Sequence, residues 1–177
     1  MLFSETKIPG AWILDIEPMR DERGFFARTW CRDELTRRGL RAELVQCSVS
    51  YNARRGTLRG MHFQVAPHAE TKIVSCLRGS IYDVLLDLRR ESPTYCQWIA
   101  VELTEQSFRA VYIPEGVAHG FQTLTDDAVV SYQMSEMHSP GHAHGVRWSD
   151  PAFAIEWPET TERILSPRDR AYPEYVP

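Results

Sequence analysis

The chain has 177 residues, 43% hydrophobic and 25% charged, with a formal net charge of -4, a balance typical of a globular protein with one sizeable core. A net negative chain does not suit a nucleic-acid backbone, so no nucleic-acid partner is expected. No apolar run approaches the roughly 20 residues of a membrane span, and "MLFSETKIPGAWILDIEP" lacks the order of a secretory leader, so the expectation is a cytoplasmic protein without a membrane partner.

No repeat or low-complexity linker interrupts the chain, and a single domain over residues 1–177 is expected. Short β-rich runs begin with "AWILDI" and, after the turn "DERG", "GFFARTW". "CRDELTRRGL" (31–40) then reads as a helix ending in glycine. The runs resume with "AELVQCSVS", "TLRGMHFQ", "TKIVSCL", "SIYDVLLDL", "CQWIAVEL", "FRAVYIP", "AHGFQTL" and "AVVSYQM". Between them stand turn signals such as "RRG", "LRGS", "ESPT", "PEG" and "TDDA". Many short strands at this spacing predict an all-β sandwich or barrel. From Ser139 the sequence, rich in Pro, Trp and charge, predicts an irregular wrap with at most a turn of helix. Cys31, Cys47, Cys76 and Cys96 are far apart with no C-x-x-C pair, so free thiols are expected.

Alternation assigns faces within two of these runs. In "IYDVLLDL" (81–88), Tyr82, Val84, Leu86 and Leu88 share one face, and Asp83 and Asp87 share the other with Ile81 and Leu85. One Asp there could serve a polar cavity, whereas Asp87, next to "LRRES", is expected at a solvated rim. In "TLRGMHFQ", His62 and Gln64 share a face with Gly60 and Leu58, which turns Arg59 the other way unless Gly60 bends the strand.

"IPEGVAHGFQTL" (113–124) carries a Pro-x-Gly-x-x-His turn through Pro114, Gly116 and His119, the second half of a cupin-type barrel signature. "TLRGMHFQ" resembles the first half. A cupin metal site wants three imidazoles and often a carboxylate, but Gln64 occupies the place of the second His, so no metal is expected. An acid–base set remains: His62, His119, Lys72, Tyr132 and, on the wrap, Asp169. Taken singly, Tyr132 reads as a core residue and Lys72 and Asp169 as solvated charges; the set gains meaning only if a fold brings it together.

"DERGFF", "GTLRGMHFQ", "TKIVSCLRGSIYDVLLDLR", "SPTY", "YIPEGVAHGFQTL", "SYQMSEMHSPGHAHGVRWSDPAFAIEWP" and "LSPRD" follow one another in the order of a known motif series. On these, from about residue 5 to 170, the chain resembles the dTDP-4-dehydrorhamnose 3,5-epimerase family. The resemblance implies a double-stranded β-helix (cupin, or jelly-roll) fold and a metal-independent homodimer without cofactor. It also implies action on a nucleotide-diphospho-4-keto-6-deoxysugar by inversion of C3, C5 or both through an enolate. By the same resemblance His62 is the base, Asp169 orients it, Tyr132 is the opposite-face acid and Lys72 supports the enolate oxygen. Arg59, His119 and Gln64 match substrate contacts, Arg168 lies beside the diphosphate, and Arg23 and Phe26 reach into the partner's site. The chain departs from the family pattern at Arg28 (Glu expected), at "CSVSY" (47–51), where Cys47 and Val49 replace amides, and at Ala143, where a Glu is expected just before "GVRW". An amide-to-Val change at a buried contact would cost about 1–3 kcal/mol against thymine, which leaves dTDP, CDP, GDP and UDP open as the nucleotide. The alternatives are a 3,4-ketoisomerase on the same barrel, a non-catalytic sugar-nucleotide binding module and a metal-dependent cupin oxygenase.

Overall fold

Every expected β-rich run contains a strand in the computed structural model, which describes residues 1–176. The chain opens with β1 (Leu2–Glu5), β2 (Trp12–Asp15), β3 (Met19–Asp21), β4 (Gly24–Phe26) and helix α1 (Arg32–Thr36). Next come β5 (Gln46–Asn52), β6 (Leu58–Gln64), β7 (Lys72–Arg78), β8 (Ser80–Asp87) and β9 (Trp98–Thr104). The remainder is β10 (Ala110–Ile113), β11 (Val117–Thr123), β12 (Ala128–Met134), β13 (Ala143–Gly145) and helix α2 (Pro167–Arg170). β1, β3 and β13 were not expected. β13 is three residues at a sheet edge, too short for alternation to register. Of "GFFARTW" only Gly24–Phe26 pairs, in a two-stranded ribbon with β3.

The long strands form two antiparallel sheets, ordered β1-β2-β10-β7-β12-β5 and β13-β6-β11-β8-β9. The non-sequential order, with neighbours far apart in the chain, is that of a jelly roll, and the fold is the all-β cupin barrel. Between the sheets lie Val74, Ile81, Leu85, Leu103, Val111, Phe121 and Val130, each almost fully buried. Each sheet is also covered over part of its outer side. Leu35 of α1 packs on Leu14, Ile73 and Tyr112 of the six-stranded sheet. The C-terminal wrap lays Val146 and Phe153 over Met61, Val84 and Leu86 of the five-stranded one. Burial on both faces explains why β8 reads as the nearly continuous apolar run "VLL".

Asp87 corrects the expectation of a solvated rim, because the residue is fully buried. The loop after β8 folds back and surrounds it: Arg89 donates from its backbone N–H, Nε and Nη2, and the Ser92 and Thr94 hydroxyls donate at 2.6 and 2.7 Å. Burial pushes the Asp87 carboxyl upward, but these donors outweigh it and bring its pKa down to about 2. This carboxylate is structural, tying the 88–97 loop to the end of β8.

Candidate active site

A cavity of about 760 Å³ opens at one end of the barrel and takes side chains from both sheets. Arg59 and His62 of β6 and His119 of β11 line one wall; Ser48 of β5, Lys72 of β7 and Tyr132 of β12 line the other. The wrap adds Arg168 and Asp169 of α2 at the mouth. Ser166 caps that helix by accepting from the Asp169 N–H at 3.0 Å, and Pro167 occupies its first position, where a missing N–H costs nothing.

His62 Nε2 lies 2.6 Å from Asp169 Oδ1, and the Asp169 side chain is only 5% exposed. Burial raises the carboxyl, but the His62 hydrogen bond and charge, Ser166 and the Gly60 backbone N–H prevail and hold it below its usual range. An ionised Asp169 accepts Nε2–H, which assigns the tautomer and leaves the imidazole lone pair on Nδ1. On another side the Tyr172 ring meets His62 edge-on at 6.2 Å. Tyr172 is itself seated against Gly145, where a Cβ would come within 2.3 Å of its ring.

Arg59 shares the cavity side with His62 because β6 is bulged. His119 pairs with His62 and Phe121 pairs with Arg59, so Gly60 and Met61 face the single residue Gly120. One extra residue shifts the alternation by one and re-aims everything upstream of it. Glycine is required at both positions of this close approach: a Cβ on Gly60, at φ +133°, would lie 2.5 Å from Gly120 Cα, and one on Gly120 would lie 2.9 Å from Arg59 O. Arg59 Nε donates to Asn52 Oδ1 at 2.8 Å, fixing the guanidinium at the cavity.

Behind this wall His119 Nε2 lies 2.7 Å from Asp83 Oδ2, with both side chains buried. Burial is the largest influence on Asp83 and pushes its carboxyl upward, partly offset by His119 and Lys72. Asp83 does not line the cavity itself but backs His119, which does. The His119 ring meets Tyr132 edge-on at 6.0 Å. Burial, with a smaller push from Asp83, drives the Tyr132 phenol strongly upward against a weaker opposite pull from Arg59, so the phenol stays protonated.

Lys72 forms an ion pair with Glu70 at 3.0 Å inside the cavity, a partner that sequence reasoning missed although the two stand two residues apart at a strand entrance. Gln64 faces the cavity but uses its amide on two loops, donating to His68 O and Met137 O and accepting from Ser139 N–H. Arg168 donates to Ala143 O at 3.1 Å. Arg23 and Phe26 lie outside this cavity, on the exposed β3–β4 ribbon. Among the described residues no three His, Cys, Asp or Glu side chains are grouped to hold a metal ion.

The expectation for "CSVSY" is corrected. Along β5 it is Gln46, Ser48 and Ser50 that line the cavity, whereas Cys47 is exposed and Val49, 69% exposed, points away. A one-residue slip in matching the strand exchanges its faces. The argument against thymine built on Val49 therefore falls, and the polar positions to weigh are Gln46 and Ser48.

Comparison with known proteins agrees with this geometry. The family profile described as dTDP-4-dehydrorhamnose 3,5-epimerase matches residues 5–176. A dTDP-4-dehydrorhamnose 3,5-epimerase of Salmonella typhimurium (strain LT2) is 39% identical over 98% of this chain and 94% of its own. A dTDP-4-dehydrorhamnose 3-epimerase of Streptomyces niveus is 40% identical over 92% of this chain and 78% of its own. The crystal structure of the 3,5-epimerase of Bacillus anthracis str. Ames, with TDP and PPi bound, superposes with a TM-score of 0.93 at 41% identity, covering 98% of this chain and 99% of that one.

Proposed function

Since the chain belongs to the dTDP-4-dehydrorhamnose 3,5-epimerase family, we propose that it inverts C3, C5 or both of a dTDP-4-keto-6-deoxysugar in deoxysugar biosynthesis. The observation that carries this reading is the distribution of proton-handling groups over two facing walls. His62 stands on the five-stranded sheet, and Tyr132 and Lys72 stand on the six-stranded one.

A C4 ketone acidifies the C–H bonds at C3 and C5. His62, with its tautomer set by Asp169, takes the proton from one face of the sugar, and the electron pair moves onto the C4 oxygen as an enolate. The Lys72 ammonium stabilises that oxyanion, a term often the largest in such reactions. Tyr132, kept protonated by burial, returns a proton from the opposite face, and the enolate collapses to the inverted ketone. Atoms and electrons balance with no redox partner, so the chemistry asks for no cofactor. Arg59 and Arg168 supply cations for the diphosphate, and His119 a contact for the sugar.

The thymidine form is favoured by the names of the relatives and by the retained polar edge of Gln46 and Ser48. A homodimer belongs to the same proposal. Val49, Tyr51 and Leu77 leave an apolar outer surface on the six-stranded sheet, and the β3–β4 ribbon presents Phe26 at 71% exposure beside Arg23, free to enter a second copy's cavity. No helix is long and apolar enough to cross a membrane, and the four cysteines are unpaired, which suits the cytoplasm.

The test is incubation with dTDP-, CDP-, GDP- and UDP-linked 4-keto-6-deoxysugars in deuterated water, followed by NMR. Deuterium should enter C3, C5 or both of the dTDP sugar, and His62→Ala should nearly abolish its entry. Wild-type-like exchange in that variant would refute the base assignment. Movement of the ketone to C3 would show the isomerase instead.

A further inference from the structure

Among the chain's 20 basic residues only two are lysines, Lys7 and Lys72. Beside the guanidinium groups of Arg59 and Arg168, Lys72 thus brings to the cavity an ammonium on a flexible stem, in a protein that otherwise uses guanidinium almost throughout. Its one ion-pair partner among the described residues is Glu70, with Oε1 3.0 Å from Nζ and side-chain exposures of 8% for Glu70 and 12% for Lys72. Between them Thr71 is buried and clamped on both sides: its N–H donates to Ser135 Oγ at 2.8 Å, and its carbonyl accepts from Ser135 N–H at 3.1 Å. One residue before Glu70, Arg41 Nη1 donates to Ala69 O. Extended chain sends residues i and i+2 to the same side, so this clamp fixes the stems of Glu70 and Lys72 toward the cavity together.

A carboxylate is an unfavourable lining for a cavity that takes a diphosphate, since like charges repel. Asp169, the other acid lining the cavity, is engaged by His62. Glu70 has no such engagement and reaches only Lys72.

We propose that Glu70 is a positioning residue for the epimerisation, holding the Lys72 ammonium in the direction from which it meets the enolate oxygen. The inference rests on Lys72 having that role. Without the carboxylate, the stem has several rotamers available and the ammonium is no longer pre-aimed, a loss that falls on the chemical step more than on binding.

The experiment uses ¹³C-lysine-labelled full-length protein, in which Lys7→Arg assigns the two ε-methylene signals. In the wild type the two Lys72 ε-protons should be inequivalent, as for an immobilised stem; in Glu70→Gln they should merge. With a dTDP-4-keto-6-deoxyhexose as probe, kcat for deuterium exchange should fall about tenfold while KM stays within about twofold. Glu70→Asp, which keeps the charge but shortens its reach, should lie between the two and provides the measurement should Glu70→Gln not fold. Unchanged Lys72 signals, kcat within twofold of wild type, or a rise in KM alone would each overturn the proposal. If the wild-type enzyme exchanges no deuterium, the epimerase reading fails by itself, and the lysine signals still decide whether Glu70 holds Lys72.

Discussion

Asp169→Asn removes one charge from the dyad while leaving the side-chain shape and the Ser166 cap in place. The contact it alters is a 2.6 Å hydrogen bond from His62 Nε2 to a carboxylate 5% exposed. Because that carboxyl is held below its usual range, it is ionised at any pH near neutrality. A hydrogen bond to a charged group is worth about 1.5–3 kcal/mol, which converts to a rate loss of about 10- to 150-fold. If the new amide turns its NH₂ toward Nε2, it selects the tautomer with the proton on Nδ1 and removes the lone pair from its working position, enlarging the loss. KM should move little, since Asp169 acts through His62. The assay is the initial rate of C3 and C5 deuterium incorporation by NMR, over a range of substrate concentrations. A variant within threefold of wild-type kcat, or one impaired only in KM, would refute the dyad as the source of basicity.

Tyr132→Phe should leave proton abstraction within about tenfold but reduce inversion by about 10²- to 10⁴-fold, so exchange without epimerisation should appear by NMR; equal loss of both would make Tyr132 a positioning group only. Asp87→Asn tests a structural carboxylate. Its pKa of about 2, against an ordinary 3.8, corresponds to about 2.5 kcal/mol, or about 5–10 °C in Tm for a chain of this size. The folded pKa is depressed, so this stabilisation is complete above about pH 4 and is lost as pH falls toward 2. Calorimetry should therefore show wild type and variant far apart at pH 7 and converging near pH 2.5, and a gap that stays constant over that range would contradict the ion-pair account.

Much of this molecule is legible in its sequence. The β-rich runs and their turns predict the barrel, because strands buried on both faces leave concentrated apolar segments such as "VLL" in β8. His62, Lys72, Tyr132 and Asp169 come together in one cavity although they sit on four separate elements. What escapes the pattern is set by geometry that alternation does not encode. The burial of Asp87 depends on donors delivered by a loop folding back five and seven residues later. The faces of β5 turn on a single step of register, so Val49 and Ser48 are easily exchanged. Glu70 lies just outside β7, before the apolar alternation that marks the strand begins.

The bulge at Gly60 behaves as a change of reading frame within a strand. Upstream of it the cavity is addressed by the odd-numbered Arg59, downstream by the even-numbered His62 and Gln64. Were the same residues paired one to one without the bulge, Gly60 would stand opposite Phe121 and Arg59 would turn away, and the cavity would lose a guanidinium with no side chain changed. In this strand the count of residues carries as much chemical information as their identities.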